Sequence, residues 1–260
     1  MNVSLIITTY NRPDALLAVL TSIENQISKP FEVIIADDGS SSETRSVINN
    51  YKKNSILNLI HSWQDDQGFR VAKSRNKAII KSRGEYIILI DGDMILHKSF
   101  IQDHINSARN GFFSQGSRVL LSKNITKEIL TNIDTKISLF TKGHKNRKNG
   151  FHSNTLSKFF SKNSNSLTGI KSCNLAFFKS DCIAINGFNN DFEGWGREDS
   201  EFASRLMNYG VTRQNLRFIA IQFHLWHNES SRSLVKKNTL LLKRSIENKI
   251  KWCKNGISSI

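Results

Sequence analysis

At 260 residues, 38% of them hydrophobic and 23% charged, the chain is long enough to bury an ordinary core, which excludes a disordered or fibrous protein. The net charge of +15 is confined to two stretches: residues 123–171 hold ten Lys or Arg against two acids, and 232–254 hold eight against one. Such stretches attract an anionic membrane surface or an acidic glycan, and no nucleic-acid partner is expected.

The start, Met1 to Tyr10, has no basic leader and its apolar run is too short for a signal peptide or a membrane span, so Val3–Thr9 reads as a first strand. An amphipathic helix is predicted over Asp14–Asn25, a strand over Phe31–Ala36, a polar helix over Ser42–Lys52 and a strand over Leu57–Trp63. A helix over Val71–Ser82 and a strand over Tyr86–Ile90 follow, the latter running into Asp91-Gly92-Asp93. This alternation predicts an α/β fold with a mostly parallel sheet and helices on both faces, in which ligands bind beyond the carboxyl ends of the strands.

Residues 123–168, rich in Lys, Asn and Ser with little periodicity, break the pattern and read as a basic insertion or mobile lid between a half at 1–122 and a second half at 169–231. Order is expected again over Gly169–Phe178 and in a helix Glu198–Tyr209 that Gly210 stops. A strand is predicted over Leu216–Phe223. The tail, 232–260, reads as a basic amphipathic helix over 232–254 with Leu242, Ile246, Ile250 and Cys253 down one stripe. Cys173, Cys182 and Cys253 are odd in number and lack metal-type spacing, so neither a zinc site nor a disulfide framework is suggested and a reducing cytoplasm fits.

The polar clusters fall at predicted strand ends. Asp91 and Asp93, one small residue apart, can chelate a hard divalent cation that also holds a diphosphate, although Asp and Gly are also common in plain turns. Thr8, Tyr10 and Arg12 follow the first strand, and Asp38, in Asp37-Asp38-Gly39-Ser40, can accept hydrogen bonds from a nucleobase or ribose. Arg70 and Arg75 flank a cationic helix start and can reach phosphates or orient the carboxylates. Further on, Trp195 lies between Gly194 and Gly196 and can offer a flat face to a sugar ring. Arg197 follows, and Asp199 or Glu198 can take the proton of an attacking hydroxyl. His224, or alternatively His227, can add an imidazole to a metal held by carboxylates.

These residues in this order resemble glycosyltransferase family 2, and especially the bacterial chondroitin-polymerase-like domains. The likeness runs over residues 3–120 and resumes over 169–228, while Trp195-Gly196-Arg197-Glu198-Asp199 is also similar to the signature of β-1,4-galactosyltransferases. The resemblance implies a Rossmann-like GT-A fold, a UDP-sugar donor, Mn²⁺ or Mg²⁺ as cofactor and inversion at the anomeric carbon. It implies a uridine contact at Asp38, metal ligands at Asp93 and His224, an acceptor-stacking Trp195 and a catalytic base at Asp199. Ser200 departs from it, since the galactosyltransferase pattern usually has an acid there.

The expected function is therefore transfer of a hexose or N-acetylhexosamine to a glycan or lipid-linked glycan in bacterial surface polysaccharide or lipopolysaccharide synthesis, at the inner face of the cell membrane. A nucleotidyltransferase or pyrophosphorylase would carry a Gly-rich triphosphate loop near its N-terminus, and none precedes Asp37. Intact Asp93 and Asp199 argue against a non-catalytic glycan-binding module.

Overall fold

A computed structural model describes residues 1–138, 143–228 and 231–260. Small parts of the expected insertion (139–142) and of the second half (229–230) thus lie outside the described residues. The first half alternates β1 (Val3–Thr9), α1 (Pro13–Glu24), β2 (Glu32–Asp37), α2 (Ser42–Asn54), β3 (Leu59–Trp63), α3 (Val71–Lys81) and β4 (Tyr86–Asp91). There follow β5 (Met94–Leu96), α4 (Phe100–Ser107), β6 (Phe112–Gln115), β7 (Ser117–Leu120), α5 (Lys123–Asn132), α6 (Asn154–Phe160) and β8 (Lys162–Ser164). The chain continues with β9 (Asn174–Phe178), α7 (Lys179–Ala184), α8 (Glu198–Tyr209), β10 (Thr212–Asn215), β11 (Ile221–His224) and α9 (Val235–Glu247).

Eight strands form one sheet in the order β3-β2-β1-β4-β9-β6-β10-β8, and β5-β11-β7 form a second. The first four strands are parallel and β9 runs against β4 and β6. Strands buried on both faces need apolar side chains at every position, which is why β1, β2 and β4 read as continuous apolar runs. Leu5 and Ile7 face the helices α1 and α2, with Leu16, Leu20 and Ile48, whereas Ile6 faces α3 and α8, with Ile79, Phe202 and Leu206. The strand order reverses at β1, so the crevice between β1 and β4 is a topological switch point. The pairings Thr8↔Asp91 and Thr9↔Asp37 bring the polar ends of three strands flush at its mouth.

Three expectations need correction. The insertion is not patternless: it forms α5, which packs on α1, then α6, and β8 closes the far edge of the large sheet. The strand expected over Leu216–Phe223 is confined to its end, β11 from Ile221, because Phe218 and Ala220 adopt left-handed backbone conformations (φ 63° and 49°) that break the extension, and β10, in the other sheet, has already ended at Asn215. The tail helix stops at Glu247, where Lys249 turns the chain with φ 47°. Its buried side is Asn238, Leu242 and Ser245, packed on α8, while Ile246 is exposed.

Candidate active site

The carboxyl ends of β1, β2 and β4 open into a cavity of about 1980 Å³. Thr8, Tyr10, Arg12, Asp38, Arg75, Asp91, Asp93, Trp195, Gly196, Arg197, Glu198, Asp199, His224 and His227 all line it. Arg70 stands apart from the other candidates: its guanidinium bonds to Gln67 (2.7 Å) and to the Asp65 carbonyl, and its backbone N–H serves the site instead.

Of the two neighbouring acids after β2, Asp37 is spent on the fold, since its carboxylate accepts from the Ser40 N–H (2.8 Å) and meets His61 Nε2 (2.8 Å). Asp38 faces the cavity and accepts from Gln64 Nε2 (2.6 Å) and the Arg70 N–H (2.7 Å). Burial pushes its carboxyl above the ordinary value, against the pull of those two donors. Gly39, at φ 98°, packs so closely that a Cβ would lie 2.5 Å from Asp66 Cα, so the turn admits no side chain there.

Arg75, only 3% exposed, links the two halves of the site. It donates to Asp91 Oδ1 (3.4 Å), which also accepts from Thr8 Oγ1 (2.8 Å), and to Glu198 Oε1 (3.1 Å) at the start of α8. The three acids that open α8 therefore divide their work. Glu198 is tied to Arg75, and Glu201 is clamped by buried Arg205 through two hydrogen bonds of 2.7 and 2.8 Å. Asp199 is the one left half-buried and turned to the cavity, accepting from the Ser200 N–H (2.6 Å) and hydroxyl (3.2 Å). Burial raises the pKa of both Glu198 and Asp199, with their mutual repulsion adding at Glu198 and Arg75 opposing it at both.

Asp93 sits in the turn between β4 and β5, where Gly92 packs against β1 with its N–H on the Thr8 carbonyl (2.7 Å). Asp93 Oδ2 lies 3.3 Å from His224 Nε2 and 3.1 Å from His227 Nε2, and one donor atom from each of the three residues falls within 4.8 Å of the others. Both histidines thus reach Asp93. The backbone sets this spacing: β11 pairs with β5 in the register His224↔Met94, and the Leu225 N–H donates to the Asp93 carbonyl (2.9 Å). Burial opposes ionisation of Asp93, but the two imidazoles outweigh it and hold the carboxyl well below the usual range. Asp93 Oδ1 is buried with no partner among the described residues. One carboxylate, two imidazoles and an orphaned oxygen suit a divalent transition ion.

The side of the cavity that carries Trp195 is a glycine-flanked loop. Gly194 and Gly196 take φ 70° and 102°, Arg197 takes 76°, and the Trp195 ring stands 44% exposed with the Arg232 guanidinium 5.2 Å from its centroid. The tail helix holds the loop from beneath. Asn238, fully buried, donates to the carbonyls of Glu193 and Gly196, both at 3.0 Å, and Leu234 packs under Gly194. Sequence reasoning missed Asn238, Gln64, and the cavity-lining Arg118, Lys123, Lys171, Arg232 and Lys236. A polar residue amid the lysines of a tail helix carries no signal of burial. The cations are visible in the sequence only as an unplaced excess of charge.

The model of the family described as "Glycosyl transferase family 2" matches residues 4–179. The chain belongs to glycosyl transferase family 2. A second model, the N-terminal domain of galactosyltransferase, matches residues 152–228, the stretch carrying Trp195 to Asp199 and His224. Among curated relatives of this family-2 chain, a chondroitin synthase of Escherichia coli is 29% identical across 80% of the chain and 32% of its own length. A hyaluronan synthase of Pasteurella multocida is 27% identical across 81% of the chain and 23% of its own. The chain thus spans a third or less of either relative. Among solved structures, S. aureus TarS 1–349 in complex with UDP-GlcNAc superposes with a TM-score of 0.66 at 17% identity, covering all of the chain and 69% of TarS 1–349. The mannosyltransferase PcManGT of Pyrobaculum calidifontis, with GDP-Man and Mn²⁺, gives 0.60 at 16%, over 88% of the chain and 58% of its own. At these identities the superpositions bear on the fold, which is GT-A.

Proposed function

We propose that the chain is an inverting, metal-dependent transferase that moves a hexose or N-acetylhexosamine from a UDP-sugar to a hydroxyl of a glycan or lipid-linked glycan. Its setting is bacterial surface polysaccharide or lipopolysaccharide synthesis, on the cytoplasmic face of the membrane. Attachment there is peripheral in this reading, and no helix among the described residues is long and apolar enough to cross a bilayer. The observation that carries the reading is the single cavity in which Asp38 and Asp91, the Asp93–His224–His227 triad and Asp199 face one another. The relatives include a chondroitin synthase and a hyaluronan synthase, and TarS 1–349 is in complex with UDP-GlcNAc, which supports a UDP-sugar donor.

In this reading Asp38 and the Asp91 end of β4 take the nucleoside, with Tyr10 and Arg12 at the rim. Asp93, His224 and His227 hold Mn²⁺ or Mg²⁺, and PcManGT, which carries Mn²⁺, supports the former. When bound, the ion supplies positive charge to a departing diphosphate. Trp195 offers its face to the acceptor sugar, with Gly196 and Arg197 shaping that rim. Asp199 accepts the hydroxyl proton as the oxygen attacks the anomeric carbon, and Glu198, pinned by Arg75, orients the acceptor. The test is Asp93→Ala under calorimetry. UDP affinity falls and ceases to depend on Mn²⁺, and metal-dependent UDP binding equal to the wild type would refute the assignment.

A further inference from the structure

A group of exposed aromatic rings lies away from the cavity. Phe151, Phe159 and Phe160 are 54%, 74% and 53% exposed. Half-buried Phe218 sits between them, its ring centroid 6.3 Å from Phe151 and 5.5 Å from Phe160. The group is fixed by backbone and not by chance collapse of loops: the Ser153 N–H donates to the Phe218 carbonyl (2.8 Å) and the Arg217 N–H to Ser161 Oγ (3.1 Å). It sits at the β8 edge of the large sheet, with β9, β6 and β10 between that edge and β4.

The charge around these rings has one sign. Lys148, Lys158, Lys162 and Arg217 are exposed, and none forms an ion pair among the described residues. Residues 135–180 contain no Asp or Glu. Beside α6, a cavity of about 720 Å³ is lined by Arg109, Lys158, Ser157 and Ser161, the cations and hydroxyls that a lipid phosphate binds. Exposed contiguous apolar rings mark a contact surface, and rings edged only by cations match the boundary between anionic headgroups and acyl chains.

We infer that this face, built from 147–162 and the 216–220 turn, is where the protein rests on an anionic bilayer. Phe151, Phe159 and Phe160 enter the interface while Lys148, Lys158, Lys162 and Arg217 meet lipid phosphates. A second copy of the chain is the poorer occupant, since a protein of net charge +15 would bring like charges together here. The tail helix is also less suited. Its apolar side is packed on α8, and Lys237 and Lys243 are within ion-pair reach of Glu193 and Glu247. The inference specifies the contact behind the membrane setting proposed above and does not depend on the transfer chemistry.

The experiment is flotation of the full chain with phosphatidylcholine vesicles, with and without phosphatidylserine, at low salt. Wild type floats with the phosphatidylserine vesicles and is released by salt. F159S/F160S and K158E/K162E each lower the vesicle-bound partition by roughly tenfold or more, whereas L240S/I246S does not. UDP binding by calorimetry, unchanged in all three variants, shows that they fold and tests the transferase reading separately. The inference is overturned if wild type ignores phosphatidylserine vesicles, if F159S/F160S floats as well as wild type, or if only L240S/I246S is lost. It is also overturned if sedimentation reveals a dimer that F159S/F160S dissolves.

Discussion

Replacing Asn238 by Ala isolates the role of the tail helix in holding the Trp195 loop. The side chain is fully buried and donates two hydrogen bonds of 3.0 Å, one to each end of the Glu193–Gly196 segment. Each such bond contributes about 1 kcal/mol net, and a buried carbonyl left without a donor costs about 1–3 kcal/mol. Two carbonyls therefore put the loss at about 2–6 kcal/mol if the loop stays in place, and the loop escapes most of that by moving. Gly194 and Gly196 leave it free to do so, so the damage falls on local order more than on global stability. An opening made about 2 kcal/mol easier is roughly 30 times more populated. The expected result is amide hydrogen exchange some 10–100-fold faster over residues 193–197, with β1, β2 and β4 unchanged and UDP affinity preserved. Asn238→Asp behaves as badly, because a carboxylate cannot donate to either carbonyl. Exchange over 193–197 equal to the wild type in both variants would refute the claim that α9 holds the loop.

Asp199→Asn leaves UDP affinity near the wild-type value while the transfer rate, in a turnover assay, falls by roughly 10²–10⁴. Near-normal turnover, with Glu198→Gln inactive instead, moves the base to Glu198. Because burial raises the Asp199 pKa, the acid limb of the wild-type pH–rate profile lies above the ordinary carboxylate range, and that limb disappears in Asp199→Asn. The stability sign is opposite to that of an ion-paired acid. The unfolded chain gives up this proton first, so the wild type loses stability as pH rises from the ordinary value through the raised one, and the melting temperature of Asp199→Asn at pH 8 is expected to exceed it. Arg75→Met removes a buried cation from between Asp91 and Glu198 and is expected to cost about 3–5 kcal/mol in chemical denaturation. A loss under about 1 kcal/mol would mean that the Arg75 pairs with Asp91 and Glu198 contribute no more than exposed ion pairs do.

The first half of the chain was legible because parallel strands buried on both faces leave an apolar run that ends abruptly in polar residues. Val3–Thr9 and Tyr86–Asp91 announce both their class and their ends. Asp93 and the two histidines could be named as candidates from residue type, but only the β5–β11 pairing explains why residues over 130 positions apart in sequence meet. The insertion was read as patternless because α5 and α6 are short and bury few side chains, Thr126 and Ile129 in one and Ser157 in the other. The tail misled for a different reason. Its apolar stripe and lysines fit a lipid surface as well as a protein one, and the residue that decides between them, Asn238, looks solvated in sequence.

The seam between the two sheets turns on Asn174. Its amide donates to the carbonyls of Ser117 (3.1 Å) and Ala220 (2.8 Å), its oxygen meets His104 Nε2 (3.0 Å), and Gly116 passes so near that a Cβ would lie 2.4 Å from it. Asp93 stands between β4 of the large sheet and β5 of the small one, so the β5–β11 register sets its distance to His224 while the seam sets where that pair lies relative to Asp91 and the rest of the cavity. In the proposed metal site, a swap of one donor for another at 93, 224 or 227 changes which cation is preferred without touching the span. A change at Asn174 or Gly116 leaves that register in place and shifts Asp93, His224 and His227 together against Asp38, Asp91 and Asp199.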